Sequence, residues 1–142
     1  MTATADLHAL AVEITAATAT AARAAGEKIR EEALTNARAA AGGDLLISGK
    51  HRGIPLDVEL TDLTQPDGGR VHLAGTPAGP WRWIDTGTKP HSIPRRKRGP
   101  KSRLRVHHPG TSGKGAWSKT REAAPELARG AALEVIDTAV HR

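Results

Sequence analysis

The chain opens with a segment that leaves little choice of secondary structure. Between Thr4 and Ala41 there is no proline, one glycine (Gly26) and 15 alanines, and alanine is the best helix former. Leu7, Leu10, Ile14, Ala17, Ala21, Ala25, Ile29 and Ala33 recur every three or four residues, which gives one apolar stripe. Gly42 and Gly43 end the pattern, since glycine readily adopts the backbone conformation that closes a helix. A helix of this extent is roughly 50 Å long at 1.5 Å per residue, more than a 142-residue globule requires. It therefore either kinks near Gly26 or extends to lie against another subunit.

The remainder alternates between strand and turn signals before a second helix. Leu56, Val58 and Leu60 alternate with Asp57, Glu59 and Thr61, the pattern of a half-buried strand. Pro66-Asp67-Gly68-Gly69 supplies a turn, and Arg70 to Ala74 resumes as the second strand of a hairpin. Trp81 to Asp85 predicts a third short strand closed by Gly87, on which Trp81 and Trp83 share one face. Ser92 to Gly115 has no period apart from a short strand at Leu104 to His107, and Pro125 to His141 reads as a helix with Pro125 in its first turn. The expected fold is α+β, one domain over 1–142, with a long N-terminal helix and a C-terminal helix packed on a small antiparallel β-sheet. Within it, 1–41 is a helical arm, 42–115 the sheet with a basic loop at 95–115, and 116–142 the C-terminal helix.

Composition limits the core. Phe, Tyr and Cys are absent and only three Trp are present, so burial rests on Ala, Leu, Ile, Val and tryptophan. A core so poor in large side chains points to self-association. Without cysteine there is no disulfide, thiolate nucleophile or thiolate metal site. No run of about 18 apolar residues predicts a membrane span, and the N-terminus carries no leader pattern, so the chain reads as soluble and unprocessed.

The net charge of +6 is localised: Arg95 to Arg121 holds ten cations and no acidic residue, while the rest of the chain is net acidic. Arg95, Arg96, Lys97, Arg98, Lys101, Arg103 and Arg105 fall within eleven residues. Such a field attracts phosphate backbones or acidic protein surfaces, and seven cations on a loop would bind DNA without sequence preference and with strong salt dependence. No helix-turn-helix, zinc-finger, RNA-recognition or basic-zipper pattern accompanies them. Trp81 and Trp83 read as anchors of the sheet, or one of them as an interface anchor.

Two apparent chemical motifs dissolve on inspection. Asp85-Thr86-Gly87-Thr88 contains the Asp-Thr-Gly of aspartic proteases, but that chemistry needs two carboxylates sharing one proton, and a chain this short supplies one such motif and opens with helix where the dimeric proteases are mostly strand; a turn in which Asp85 or Thr86 bonds backbone groups is expected instead. His72, His91, His107 and His108 lack the short local spacing that metal sites use. No catalytic residue, metal or cofactor is therefore assigned.

The segment Trp83-Ile84-Asp85-Thr86-Gly87-Thr88-Lys89-Pro90-His91-Ser92-Ile93, then His108-Pro109-Gly110-Thr111 and a closing helix, resembles the neck or tail-completion proteins of long-tailed siphophages. The resemblance covers about Pro80 to Val140 at motif level and the rest by architecture. It implies a long N-terminal helix, a small antiparallel sheet and a closing helix. It also implies a structural role: a cyclic homo-oligomer, hexamer or dodecamer, in the head–tail connector of the virion, made in the bacterial host cytoplasm and contacting other connector and tail proteins. Trp81, Trp83, Asp85, Gly87, Thr88 and His91 would form the motif and interface. The basic loop would pair with the acidic hairpin of Asp57, Glu59, Asp62 and Asp67 on a neighbouring copy, or face DNA in the lumen.

Overall fold

The computed structural model describes residues 3–43, 55–76, 78–94 and 105–141. Element order is α1 (Ala3–Ala41), β1 (Asp57–Asp62), β2 (Val71–Thr76), α2 (Ala78–Thr86), β3 (Gly87–Thr88), β4 (His91–Pro94), β5 (Arg105–His108), β6 (Thr111–Ser112) and α3 (Ala116–Val140). The fold is α+β, with the long N-terminal and C-terminal helices packed together. Three two-stranded antiparallel ladders, β1–β2, β3–β6 and β4–β5, stand where one sheet was expected.

Helix α1 is one 39-residue helix, roughly 58 Å at 1.5 Å per residue. It runs unbroken through Gly26, whose buried position lies against Val71 and Leu60 of the β1–β2 hairpin. The glycine is a contact point, not a hinge. The hairpin follows α1 with Leu60 opposite Leu73 and Asp62 opposite Val71, and Val58 points fully inward. On another side of α1 lies α3, antiparallel to it: Asn36 Nδ2 donates to Thr120 Oγ1 at 3.2 Å near one end, and Lys28 meets Glu134 at 2.5 Å further along. Ala33 and Ala37 of α1 and Ala116 and Ala131 of α3 are buried. Methyl side chains at the contact let the two helices approach closely. Thr120, the buried polar side chain, is satisfied by donating to the Ala116 carbonyl while accepting from Asn36.

Two further expectations from the sequence fail. Trp81 to Asp85 lies inside α2 and is not a strand. Along a helix, residues two apart point to nearly opposite sides, whereas Trp81 and Ile84, three apart, share one side; Trp81 is 1% exposed and Trp83 45%. The tryptophans therefore do not share a face. Helix α3 begins nine residues before Pro125, which sits in its interior. A proline there removes one intrahelical bond and costs about 3 kcal/mol. The helix continues because both flanks are packed, Ala116 and Thr120 before the proline and Ala131 after it, while Pro125 itself is exposed.

The core centres on Trp81. Its ring lies on Gly75 of β2, where an added Cβ would come within 2.4 Å of ring carbons, and tilts against Trp117 of α3 with centroids 5.0 Å apart. The indole Nε1–H donates to the Thr76 carbonyl at 3.2 Å, which satisfies the polar atom of a buried ring. Ala33, Ala37, Leu56, Val58 and Ala116 complete the buried cluster. Gly75→Val should lower the unfolding free energy by about 1–3 kcal/mol through overpacking, read from the denaturant midpoint. Gly79→Ala, where nothing lies within 4 Å, should be neutral or slightly stabilising.

Candidate functional site

Strands β3 to β6 form one arm. Gly87 pairs with Ser112 and Thr88 with Thr111; carrying that register outward lands on His91 opposite His108 and Pro94 opposite Arg105, as observed. The arm is thus one hairpin, interrupted where Pro90 and Pro109 face each other. Neither can donate to a ladder, which accounts for the break between its two short halves. The cations Arg95, Arg96, Lys97, Arg98, Lys101 and Arg103 occupy the connection between β4 and β5 and lie outside the described residues. Arg105 is the first residue of β5.

Asp85 joins the arm to α3. The N-cap of α3 is Gly115, which has no side chain to cap the helix. Asp85 Oδ1 does so from 32 residues away, accepting from the amides of Trp117 at 2.9 Å and Ser118 at 3.3 Å. Backbone bonds reinforce the junction: the Lys114 amide donates to the Ile84 carbonyl and the Gly115 amide to the Asp85 carbonyl. A carboxylate at a helix N-terminus satisfies orphan amides and meets the positive end of the helix dipole. Beside it Gly87 sits at φ 75°, where an added Cβ would lie 2.1 Å from the Thr111 carbonyl oxygen, so the motif's glycine is required by both conformation and space. Thr88 and Thr111 share a hydroxyl hydrogen bond of 3.1 Å. Asp-Thr-Gly-Thr is a junction of backbone and cap.

An open groove of about 990 Å³ lies on the opposite side of α2, where Arg82, Trp83 and Thr86 meet Thr88, Lys89 and the paired histidines of the arm. His91 and His108 lie 5.0 Å apart between ring centroids. The His91 Nδ1 is 2.8 Å from the Lys89 carbonyl, which can only accept, so that nitrogen carries hydrogen. His108 Nδ1 accepts from the Gly110 amide, which leaves the hydrogen of a neutral ring on Nε2. Among the described residues no group of three or more His, Cys, Asp or Glu is placed to hold a metal ion.

Of the residues singled out from sequence, Trp83 and His91 meet at this groove, Asp85, Gly87 and Thr88 form the junction, and Trp81 belongs to the core. Sequence reasoning missed Arg82, Lys89 and His108 as neighbours, although the mirrored Thr88-x-Pro90 and Pro109-x-Thr111 hinted at the pairing that joins them. The acidic hairpin is already largely engaged within the chain: Asp57 pairs with Arg30, Asp62 with Arg23 and Asp67 with Arg70. Bonds from the Thr64 hydroxyl and Arg23, with the Thr64 amide, hold the Asp62 carboxyl at about 2, below the usual carboxylate range. Of those four carboxylates, only Glu59 lacks an ion-pair partner among the described residues.

No helix among the described residues is long and apolar enough to cross a membrane. Compared with known proteins, the chain matches no family model, no curated protein and no solved structure.

Asp85→Ala should destabilise the protein by about 0.5–2 kcal/mol, the range for losing a helix cap, in a chemical-denaturation curve. Asp85→Asn, which keeps an acceptor oxygen, should lose less.

Proposed function

We propose that this chain is a structural subunit of a long-tailed phage virion, forming a ring in the head–tail connector that joins the head-side connector to the tail. The motif resemblance and the helix–sheet–helix architecture support this reading. Its residues serve architecture: Asp85 is committed to capping α3, which speaks against a role for its carboxylate in acid–base chemistry.

The observation that carries the assembly reading is surface. Large apolar side chains stand exposed on both long helices. Val12 and Ile14 of α1 and Leu133 and Ile136 of α3 are all more than half exposed, and the antiparallel packing brings the N-terminal part of α1 beside the C-terminal part of α3. Surfaces of that kind are covered in obligate assemblies. A ring is built from two different complementary patches on each subunit. The exposed apolar side chains of the helix pair supply one, and the arm at the N-terminal end of α3 supplies the second. With three carboxylates of the β1–β2 hairpin already paired, an arm-to-hairpin contact has little charge to gain, so the arm's cations are directed to another connector protein.

Native mass spectrometry of the purified chain should show one discrete oligomer of six or twelve copies, and the chain should be present in purified particles. Val12→Asp with Ile14→Asp should shift the mass towards monomer with little change in melting temperature. A monomer at every concentration, together with absence from particles, would overturn the reading.

A further inference from the structure

We infer that the first turns of α1 are a docking element, which lies along the side of α3 that faces away from α1 on a second copy of this chain. The inference names the partner of the exposed helical surface, and it rests on the assembly reading for the presence of that copy.

The two elements that cover α1 stop at about the same level. The turn of the β1–β2 hairpin meets α1 where Gly69 lies against Thr18 and Ala19. Helix α3 ends at Val140, with Ala139 beside Ala16 and Ala17. From Ala3 to Ile14, about 18 Å at 1.5 Å per residue, α1 therefore overhangs both of them.

The overhang keeps the apolar pattern of the covered part. Val12 stands seven residues before Ala19 and fourteen before Gly26, on the side that the hairpin covers. Ile14 stands three before Ala17, on the side that α3 covers. Both are more than half exposed. Leu7 and Leu10 precede Ile14 at i, i+3, i+7 spacing in the sequence. An apolar side on a short helix calls for a packing partner, since short helices are marginal alone in water.

The same molecule carries a matching surface. Ala131 of α3 is buried, whereas Leu133, two residues on, points to the other side of the helix, with Ile136 one turn further. Leu133 and Ile136 are more than half exposed, and Val140 follows in the sequence at the same i, i+3, i+7 spacing. Overhang and ridge thus agree in period and in length. Within one chain they cannot meet, because the overhang passes the end of α3 and the ridge faces away from α1. Between chains one crossed contact covers both patches, and a contact between unlike patches continues round a ring.

Charge favours the crossed contact over two overhangs side by side. The overhang carries Asp6 and Glu13 and no Lys or Arg, so two of them repel. Beside the ridge, Glu134 meets Lys28 and Asp137 meets His141, whereas Arg129, one turn before Leu133, is held by an exposed pair with Glu126. An acidic helix end is steered towards that cation.

The chain contains no cysteine, so introduced disulfides report contacts without background. Ile14→Cys combined with Ile136→Cys in the full chain should give, on oxidation, a ladder of covalent multimers on a non-reducing gel, because each copy links to the next. Each single cysteine variant should stay uncrosslinked. Ile14→Asp and Leu133→Asp, both at exposed positions, should each be monomeric by native mass spectrometry with an unchanged melting temperature. Mixed in equal amounts, they should form a species of two copies and no larger, through the one intact overhang and the one intact ridge. If the unmodified chain is a monomer at every concentration, the assembly reading falls and this inference with it. If the unmodified chain is oligomeric, this inference alone is overturned by any of three results: no ladder from the double cysteine variant, equal crosslinking of the single variants, or a mixture of the Asp variants that stays monomeric.

Discussion

The hairpin, the arm and α3 meet at the nine residues of α2. Trp81 drives one side of that short helix into the core, against Gly75 and Trp117, and Asp85, one turn later, caps α3. Without α2 the arm would lose its anchor on the helix pair, against which the hairpin packs directly. In a chain without Phe or Tyr, one buried indole supplies the largest share of apolar burial, worth roughly 2–3 kcal/mol for a fully buried large side chain. The cap contributes a similar order at the junction.

That arrangement explains how a chain with few large apolar residues holds a helix as long as α1. The alanines bring α3 close, the hairpin covers a second side, and small contacts such as Gly26 against Leu60 and Val71 bind the hairpin down. Ion pairs along α1, such as Arg30 with Asp57, are solvent-exposed and weakened by screening. They orient the hairpin more than they stabilise it. The N-terminal part of α1 carries exposed Val12 and Ile14 instead of a core, which is why the assembly reading places a neighbour there.

The parts legible in the sequence were those governed by local rules. The alanine-rich opening could only be helix, and the alternation from Leu56 to Leu60 with its Pro-Asp-Gly-Gly turn marked the β1–β2 hairpin. Trp81 to Asp85 was misread because Trp-Arg-Trp-Ile-Asp alternates like a strand, while its helical geometry is set by distant partners, Gly75 and Trp117. The C-terminal helix expected over 116–142 matches α3, but Pro125, expected in a first turn by its local rule, lies in the interior, where packing on α1 offsets its penalty. At the site, the turn role of Asp85 was foreseeable from residue type, but its target was not: an N-cap 32 residues away leaves no local signal. The groove has the same character, since Arg82 and Trp83 meet His108 only through the register of the arm.

The central physical claim is that Asp85 is an architectural residue that ties the arm to α3. Amide hydrogen exchange by NMR tests it most directly, because it reads the two bonded amides individually. In the native protein the Trp117 and Ser118 amides should be protected, and Asp85→Ala should strip that protection while leaving the β1–β2 hairpin amides unchanged. Free exchange at Trp117 and Ser118 in the native protein, or undiminished protection in the variant, would contradict the account.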